Sequence, residues 1–168
     1  MGFNSKLASM KLDKIALETP IGIAKISGNQ EGIHSVTFTD KKTPPTKIIP
    51  ETLQECVTQL KEYFEGTRTD FSVKINPQGT DFQKKAWKSL QEIPFGKTMT
   101  YSEQSKILNK PKAIRAVANA NGKNLLGILI PCHRIIGSDG SLTGYAWGLW
   151  RKEWLLEHEN KLKQQSLF

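Results

Sequence analysis

The first half of the chain shows two kinds of hydrophobic pattern. The segments KIALETPIGIAKIS (14–27), GIHSVTFT (32–39) and FSVKI (71–75) predict short β-strands separated by turn residues. In ETLQECVTQLKEYFEG, the apolar residues at positions 53, 56, 57, 60, 63 and 64 follow helix spacing, between Pro50 and Gly66. The turn NPQG (76–79) then separates a domain of residues 1–77 from one of residues 78–168.

The second half has the pattern of a small helical domain. Thr80 to Gln83 fits a capping box, and the helix behind it ends near Pro94. A second capping box at 100–103 opens a helix to about residue 108, and a third helix is expected over 113–120, stopped by Asn121-Gly122. After a turn at 137–141 and a glycine-bearing loop at 142–148, WRKEWLLEHE predicts a last helix.

These elements predict an α+β protein with a small N-terminal sheet-plus-helix domain. The second domain is expected to be mainly helical and winged-helix-like, because helix, short turn and helix together suggest a helix-turn-helix. The third helix contains four alanines and one long cation, Arg115. Small side chains suit close approach to another surface, which is either nucleic acid or a neighbouring helix of the same protein.

The positive charge of the chain lies almost entirely in its second half. The net charge is +8, but residues 1–77 carry 10 Lys+Arg against 9 Asp+Glu, whereas residues 78–168 carry 14 against 7. Such an asymmetry favours a polyanion partner for the second half, although a merely basic, soluble surface is the alternative.

Several classes of protein are disfavoured by composition. The chain has no run of about 18 apolar residues, and its first ten residues lack the apolar core of a signal peptide, so we expect a soluble, intracellular protein with no membrane partner. The two cysteines, Cys56 and Cys132, cannot form a disulfide framework. No C-x-x-C or H-x-x-x-H pattern is present, so no metal or other cofactor is expected.

The run ILIPCHRIIG (128–137) places a thiol, an imidazole and a guanidinium in an apolar frame. Cys132 is either an inert core residue or a nucleophile, and a nucleophile needs a base and a means of stabilising its thiolate. His133 is the nearest base, but adjacent side chains diverge, so a water between the two is more plausible than a direct bond. Glu153, Glu157 and Glu159 are candidates to hold the imidazole, and spacing does not choose among them.

The second half of the chain resembles the O6-alkylguanine-DNA alkyltransferases, also called methylated-DNA–protein-cysteine methyltransferases. The resemblance rests on PCHR at 131–134, the preceding Asn124, and the following GYAWGLWRKEWLLEHE, and it extends from about Phe82 to Glu159. The first 77 residues agree with the family only in outline.

The resemblance implies roles for individual residues. Cys132 is similar to the alkyl acceptor, His133 to the imidazole that takes its proton through water, and Glu159 to the carboxylate partner. Asn124 is similar to the hinge between the helix-turn-helix and the active-site loop, and Lys152 to a lysine near the reaction centre. The remaining residues that the resemblance implies are the DNA contacts Arg115, Tyr101, Ala116, Ala118, Asn119 and Arg134, and the substrate-pocket residues Tyr145, Trp147, Ile135 and Pro131.

The resemblance implies that the protein repairs double-stranded DNA. The recognition helix is expected to enter the minor groove, Arg115 to fill the space of a flipped base, and Tyr101 to press on the adjacent phosphate and help protonate the base. The alkyl group of O6-alkylguanine, with O4-alkylthymine as a further candidate, passes irreversibly to Cys132. The resemblance also implies a monomer without an obligate protein partner, in the cytoplasm, at the nucleoid of a bacterium or in a eukaryotic nucleus.

The sequence departs from the family at a few positions and leaves other functions open. Leu125 and Gly127 stand where the family often has prolines, and Trp147 stands where glycine is common. A non-catalytic binder of alkylated DNA would use Cys132 only as pocket lining and would gain no mass on it. A cysteine hydrolase would turn over many times, and the adjacency of Cys132 and His133 argues against it.

Overall fold

A computed structural model of the chain describes residues 11–165. The expected lack of a signal peptide concerns the first ten residues, which lie outside the described residues, as do residues 166–168. The chain divides into two compact units between Gln78 and Gly79, and each is described by itself. No helix within residues 11–165 has the length and apolar character needed to cross a membrane.

The first unit contains a three-stranded antiparallel sheet and one helix. The strands are β1 (Asp13–Thr19), β2 (Gly22–Asn29) and β3 (Gly32–Thr39), in the order β1-β2-β3. The helix α1 (Glu51–Glu65) follows the predicted spacing and ends at Gly66, whose φ of 87° is the left-handed conformation of a helix C-cap. The prediction of this helix is confirmed.

One face of this sheet and one face of α1 form the core of the first unit. Ile15, Ile26 and Val36 face one another across the three strands and are at most 5% exposed. Leu53 and Leu60 of α1 are fully buried. The apolar residues alternate along the strands and follow helix spacing in α1. Each element therefore has one apolar side, and these sides form a shared core.

The predicted strand at 71–75 is wrong. Only Ile75 makes a β-bridge, with Ile33, while Ser72 is held by the side chain of Gln59. The Gln59 Oε1 atom accepts from the Ser72 amide at 3.0 Å, and its Nε2 donates to the Ser72 hydroxyl at 2.7 Å. The Gln59 side chain thus holds the start of this segment, and backbone pairing with β3 is limited to the bonds of Ile33 with the Lys74 carbonyl and the Asn76 amide, both at 2.9 Å.

The second unit is mainly helical. Its helices are α2 (Asp81–Gln91), α3 (Tyr101–Ile107), α4 (Ile114–Gly122) and α5 (Leu149–Gln165). The strands β4 (Met99–Thr100) and β5 (Ile135–Ile136) pair in parallel, and a 3-10 turn, Cys132–Arg134, precedes β5. The helix-turn-helix is formed by α3, a short turn and α4.

The helix starts were predicted better than the helix ends. Thr80 caps α2 in a complete capping box with Gln83, as expected. In contrast, α4 continues through Asn121 to Gly122 instead of stopping before them, and α5 extends well beyond Glu159. The Asn121 side chain is used inside the protein, which explains why this residue does not end the helix.

Hydrogen bonds between buried polar groups hold the helices of the helix-turn-helix together. Gln104 of α3 and Asn121 of α4 exchange two amide hydrogen bonds, at 3.0 and 2.7 Å, and both side chains are at most 5% exposed. Trp87 of α2 donates to the Ala120 carbonyl at 2.8 Å. Because buried amides need their partners, these contacts fix α4 relative to α2 and α3.

Candidate active site

Asn124 holds the segment that leads from α4 to Cys132. Its Oδ1 accepts from the Leu126 amide at 2.8 Å, and its Nδ2 donates to the Ile130 carbonyl at 3.0 Å. Between these anchors, Ile128 has a φ of 68°, a conformation that costs an L-residue roughly 1–2 kcal/mol. The anchors and the burial of Ile128 keep this segment in one bent conformation.

The Cys132 thiol lies at the end of this segment and is almost entirely buried. Its Sγ accepts from Asn124 Nδ2 at 3.3 Å, and the residue is 8% exposed. Burial raises the pKa of the thiol above its ordinary value, while the Asn124 amide and the Lys152 ammonium oppose that rise. Cys132 is therefore a neutral thiol at rest, in a site where two groups favour its thiolate.

The neighbouring His133 is held by Glu159, which spacing alone did not single out. The His133 Nε2 atom lies 2.7 Å from Glu159 Oε2, and both side chains are at most 1% exposed. Burial lowers the pKa of His133, so the imidazole is neutral. A carboxylate only accepts, so Nε2 carries the proton and Nδ1 has a free lone pair.

Arg134 completes this buried charge cluster, although the resemblance implies a DNA contact for it. Its guanidinium donates to Glu159 at 2.8 and 3.1 Å and to the Ile93 carbonyl at 2.7 Å, and the residue is 7% exposed. A phosphate contact needs a guanidinium at the surface, so the burial of Arg134 favours an internal role for it. Although burial alone raises the pKa of Glu159, His133 and Arg134 outweigh it and hold that pKa well below its usual range.

Cys132 opens onto a cavity of about 480 Å³ within the second unit. One side of the cavity comes from the helix-turn-helix, and the other from the loop before α5. The lining residues are Tyr101, Ile114, Arg115, Ala118, Asn121, Gly122, Cys132, Thr143, Gly144, Tyr145 and Ala146. A volume of this size is within the range of small-molecule sites.

Two side chains from different helices tie the loop wall of this cavity. Tyr101, the first residue of α3, donates its hydroxyl to the Thr143 carbonyl at 2.9 Å. Lys152 of α5 donates to the Thr143 and Gly144 carbonyls at 3.3 and 3.1 Å and is fully buried. Burial lowers the pKa of Lys152 to about 8, an effect that the nearby Cys132 opposes.

The same loop is tied a second time by Arg151. Its Nη1 donates to the Trp147 carbonyl at 2.8 Å, and its guanidinium lies 4.4 Å from the centre of the Trp150 ring. The Trp147 ring in turn contacts Tyr145 edge-on, with ring centres 5.3 Å apart. The Trp147 ring thus packs against Tyr145, on a loop whose backbone is bound by Tyr101, Lys152 and Arg151.

Three of the predicted pocket residues do not line the cavity. Ile135 is fully buried in β5, Pro131 is buried ahead of the 3-10 turn, and Trp147 packs edge-on against Tyr145. The apolar residues on either side of Cys132 thus belong to the core and do not line the cavity. Asn121 and Thr143 do line the cavity, and the sequence analysis did not select them.

The predicted DNA-contacting residues of α4 share one outward side of that helix. Arg115, Ala116 and Asn119 are exposed, and Ala118 is half-buried at the cavity. Val117 and Ala120 are buried on the opposite side. The outward side of α4 is therefore a surface of small side chains, with the long cationic side chain of Arg115 at the mouth of the cavity.

Two buried side-chain atoms of the site have no hydrogen-bond partner among residues 11–165. They are His133 Nδ1 and the Tyr145 hydroxyl. Buried polar atoms are nearly always paired, so each of these atoms is an exception for which the described residues supply no partner. No cluster of three or more His, Cys, Asp or Glu in that same range is placed to hold a metal.

The other cysteine lies in the first unit, in the core as expected. Cys56 is 1% exposed on α1, and burial raises the pKa of its thiol to about 12. A thiol with this pKa is not ionised near neutral pH.

Comparisons with known proteins agree along nearly the whole chain. The family described as 6-O-methylguanine DNA methyltransferase, DNA binding domain, matches residues 81–161, and its ribonuclease-like domain matches residues 14–77. A methylated-DNA–protein-cysteine methyltransferase of Methanosarcina barkeri is 46% identical over 88% of this chain and 97% of its own length.

Solved structures agree with these matches. The crystal structure of Mycobacterium tuberculosis O6-methylguanine methyltransferase has a TM-score of 0.81 at 37% identity, and covers 90% of this chain and 94% of its own. A structure of the M. tuberculosis protein OGT in complex with DNA has a TM-score of 0.79 at 39% identity, and covers 88% and 92%.

The second unit combines a helix-turn-helix with a buried thiol site, and so defines a class of proteins that bring a cysteine to a nucleic acid. Within that class, the matches over both units are decisive. The chain belongs to the methylated-DNA–protein-cysteine methyltransferase family.

Proposed function

We propose that this chain repairs double-stranded DNA by moving the alkyl group of O6-alkylguanine onto Cys132, once per protein molecule. The observation that carries the proposal is the cavity beside the helix-turn-helix, because the Cys132 thiol opens onto it and has the His133–Glu159 pair as its neighbour. Residues 78–168 would supply DNA binding and chemistry, and residues 1–77 a structural domain. Each group in this mechanism comes from one chain, which supports action as a monomer.

DNA binding is assigned to the outward side of α4 and the basic surface of the second half. Small side chains allow close approach to a minor groove only about 6 Å wide, and Arg115 stands beside the cavity that would receive the flipped base. The M. tuberculosis protein OGT, whose structure is similar, was solved in complex with DNA. Because the proposed function is DNA repair, we expect the protein in the compartment that holds the DNA.

Activation of the thiol follows from the tautomer of His133. Glu159 fixes the proton on Nε2, so Nδ1 accepts the Cys132 proton, directly or through a water. The imidazolium that results lies against the Glu159 carboxylate, which stabilises it. The thiolate keeps the Asn124 donor at 3.3 Å and the nearby Lys152 charge.

Transfer is an in-line displacement at the alkyl carbon. The sulfur forms a bond to that carbon while the carbon–O6 bond breaks, and its electron pair stays on guanine. Tyr101 lines the same cavity and is assigned to assist protonation of the departing base. The product on the protein is a thioether.

The thioether makes the reaction single-use. A thioether sulfur is a poor leaving group, and the other cysteine, Cys56, lies in the core of the other unit with a strongly raised pKa. Cys56 is therefore not a resolving thiol.

The alternative is a protein that binds alkylated DNA without reacting. The Asn124 donor on Sγ and the buried His133–Glu159 pair favour chemistry, because a pocket-lining thiol needs neither. The test is intact-protein mass spectrometry after incubation with duplex DNA that contains O6-methylguanine. We expect a gain of one methyl group, located at Cys132 by peptide mapping, and no gain in Cys132→Ser. Binding without any mass gain in the wild type would favour the alternative.

A further inference from the structure

Tyr145 lines the cavity that holds Cys132. Its ring is half-buried, and it packs edge-on against Trp147 at 5.3 Å. The adjacent carbonyls of Gly144 and Trp147 are bound by Lys152 at 3.1 Å and Arg151 at 2.8 Å. These contacts hold the loop segment that carries the Tyr145 ring.

The hydroxyl itself is buried and has no hydrogen-bond partner among residues 11–165. It differs in this respect from Tyr101, the other tyrosine of the cavity, whose hydroxyl donates to Thr143. Burial, and then the proximity of Cys132, raise the pKa of Tyr145 well above its ordinary value. The phenol thus keeps its proton across the physiological range and is an unpaired donor in the wall of the cavity that Cys132 also lines.

During repair, the alkyl group of the substrate would lie next to the Cys132 sulfur. A methyl or propyl group has no atom that can accept a hydrogen bond, so it leaves the buried hydroxyl unpaired. A 2-hydroxyethyl group is close to n-propyl in size, but its terminal oxygen can accept from Tyr145. A site with an unpaired buried donor discriminates against ligands that cannot pair with it.

We propose that the Tyr145 hydroxyl selects O6-alkyl groups that carry a hydrogen-bond acceptor on their second or third atom, over apolar groups of equal size. This inference rests on the proposed function and specifies its substrate class. The transfer is unchanged: sulfur bonds to the first carbon, the carbon–O6 bond breaks, and the electron pair goes to guanine. The hydrogen bond from Tyr145 acts only on the far end of the group.

The test compares three duplexes that differ only in their O6 substituent: methyl, 2-hydroxyethyl and n-propyl. Single-turnover rate constants are measured for the wild type and for Tyr145→Phe, which removes only the hydroxyl. For each variant, the rate constant with the 2-hydroxyethyl duplex is divided by the rate constant with the n-propyl duplex. In the wild type the 2-hydroxyethyl to n-propyl ratio is set by both the chemistry and Tyr145, and in the variant by the chemistry alone. We expect that ratio to fall by roughly two- to tenfold in the variant, the range expected for one net hydrogen bond.

Tyr101→Phe is the matched control, because it removes a hydroxyl from the same cavity that is already bonded to Thr143. It is expected to change rates with all three duplexes but to leave the ratio at its wild-type value. An unchanged ratio in Tyr145→Phe, or an equal fall in Tyr101→Phe, would overturn the inference. If the wild type transfers no methyl group at all, the proposed function fails as well, and the two failures are thereby distinguished.

A crystal structure of the protein alkylated with 2-hydroxyethyl gives a readout that needs no variant. We expect the Tyr145 hydroxyl about 2.7–2.8 Å from the terminal oxygen of the group on Cys132. A terminal oxygen that points away from Tyr145 would contradict the inference.

Discussion

Replacing Arg134 by methionine distinguishes the internal role shown by the structure from the DNA contact that the sequence suggested. Methionine keeps much of the length of the side chain but removes its charge and its donors. The lost contacts are the two hydrogen bonds to Glu159, at 2.8 and 3.1 Å, and the one to the Ile93 carbonyl, at 2.7 Å. The Glu159 carboxylate, 1% exposed, would then lack its permanent cationic partner.

The magnitude follows from the cost of leaving one member of a buried ion pair behind. Breaking such a pair by removing one partner costs about 3–5 kcal/mol. For a chain of this size, a loss of that order lowers the melting temperature by about 6–20 °C. The sensitivity of DNA binding to salt should not change, because a buried guanidinium neutralises no phosphate.

Thermal unfolding and DNA binding at several salt concentrations measure the two effects separately. Arg115→Met is the matched control, because Arg115 is an exposed arginine of α4 at the cavity mouth. We expect this control to weaken DNA binding while its unfolding free energy stays within about 0.5 kcal/mol of the wild type. The reasoning would be refuted if Arg134→Met kept its melting temperature and bound DNA with a reduced dependence on salt.

Three further predictions concern the reaction and its DNA partner. Arg115→Ala should slow repair of duplex DNA more than reaction with free O6-methylguanine, since a free base needs no flipping; equal losses would count against a role in flipping. The transfer rate should rise as the pH increases through the lowered pKa of His133, because only the neutral imidazole accepts the Cys132 proton, and should fall above about pH 8, where Lys152 deprotonates and no longer stabilises the thiolate. Lys152→Met should therefore be slower at neutral pH and lack this upper break; a wild-type profile without the break would contradict the assignment. Affinity for DNA should fall steeply with salt in the wild type, whereas a flat dependence would remove the argument from charge.

The sequence predicted those parts of the fold that depend on local patterns. The period of α1 and the capping box of Thr80 and Gln83 are properties of neighbouring residues, and both are confirmed. The strand at 71–75 failed because the Gln59 side chain binds Ser72 and only Ile75 pairs with β3, an arrangement that no local pattern encodes.

The active site shows the same limit. Cys132, His133 and Arg134 form a 3-10 turn, in which neither the helical nor the strand period applies, so the sequence could not tell which side chains face the cavity. The inward direction of Arg134 depends on Glu159, which is distant in the sequence. Conversely, the roles of Cys132 and Asn124 were suggested by resemblance to a family, and the contact of 3.3 Å between them is consistent with that suggestion.

The most direct test of the account is the number of alkyl groups removed per protein molecule. Protein is incubated with an excess of duplex DNA containing O6-methylguanine, and repaired DNA is counted beside the fraction of protein that carries a methyl group on Cys132. We predict a burst equal to the amount of active protein, a plateau afterwards, and equal amounts of repaired DNA and methylated Cys132. Product that keeps accumulating beyond one equivalent, or repaired DNA without methylated Cys132, would contradict the single-use transfer.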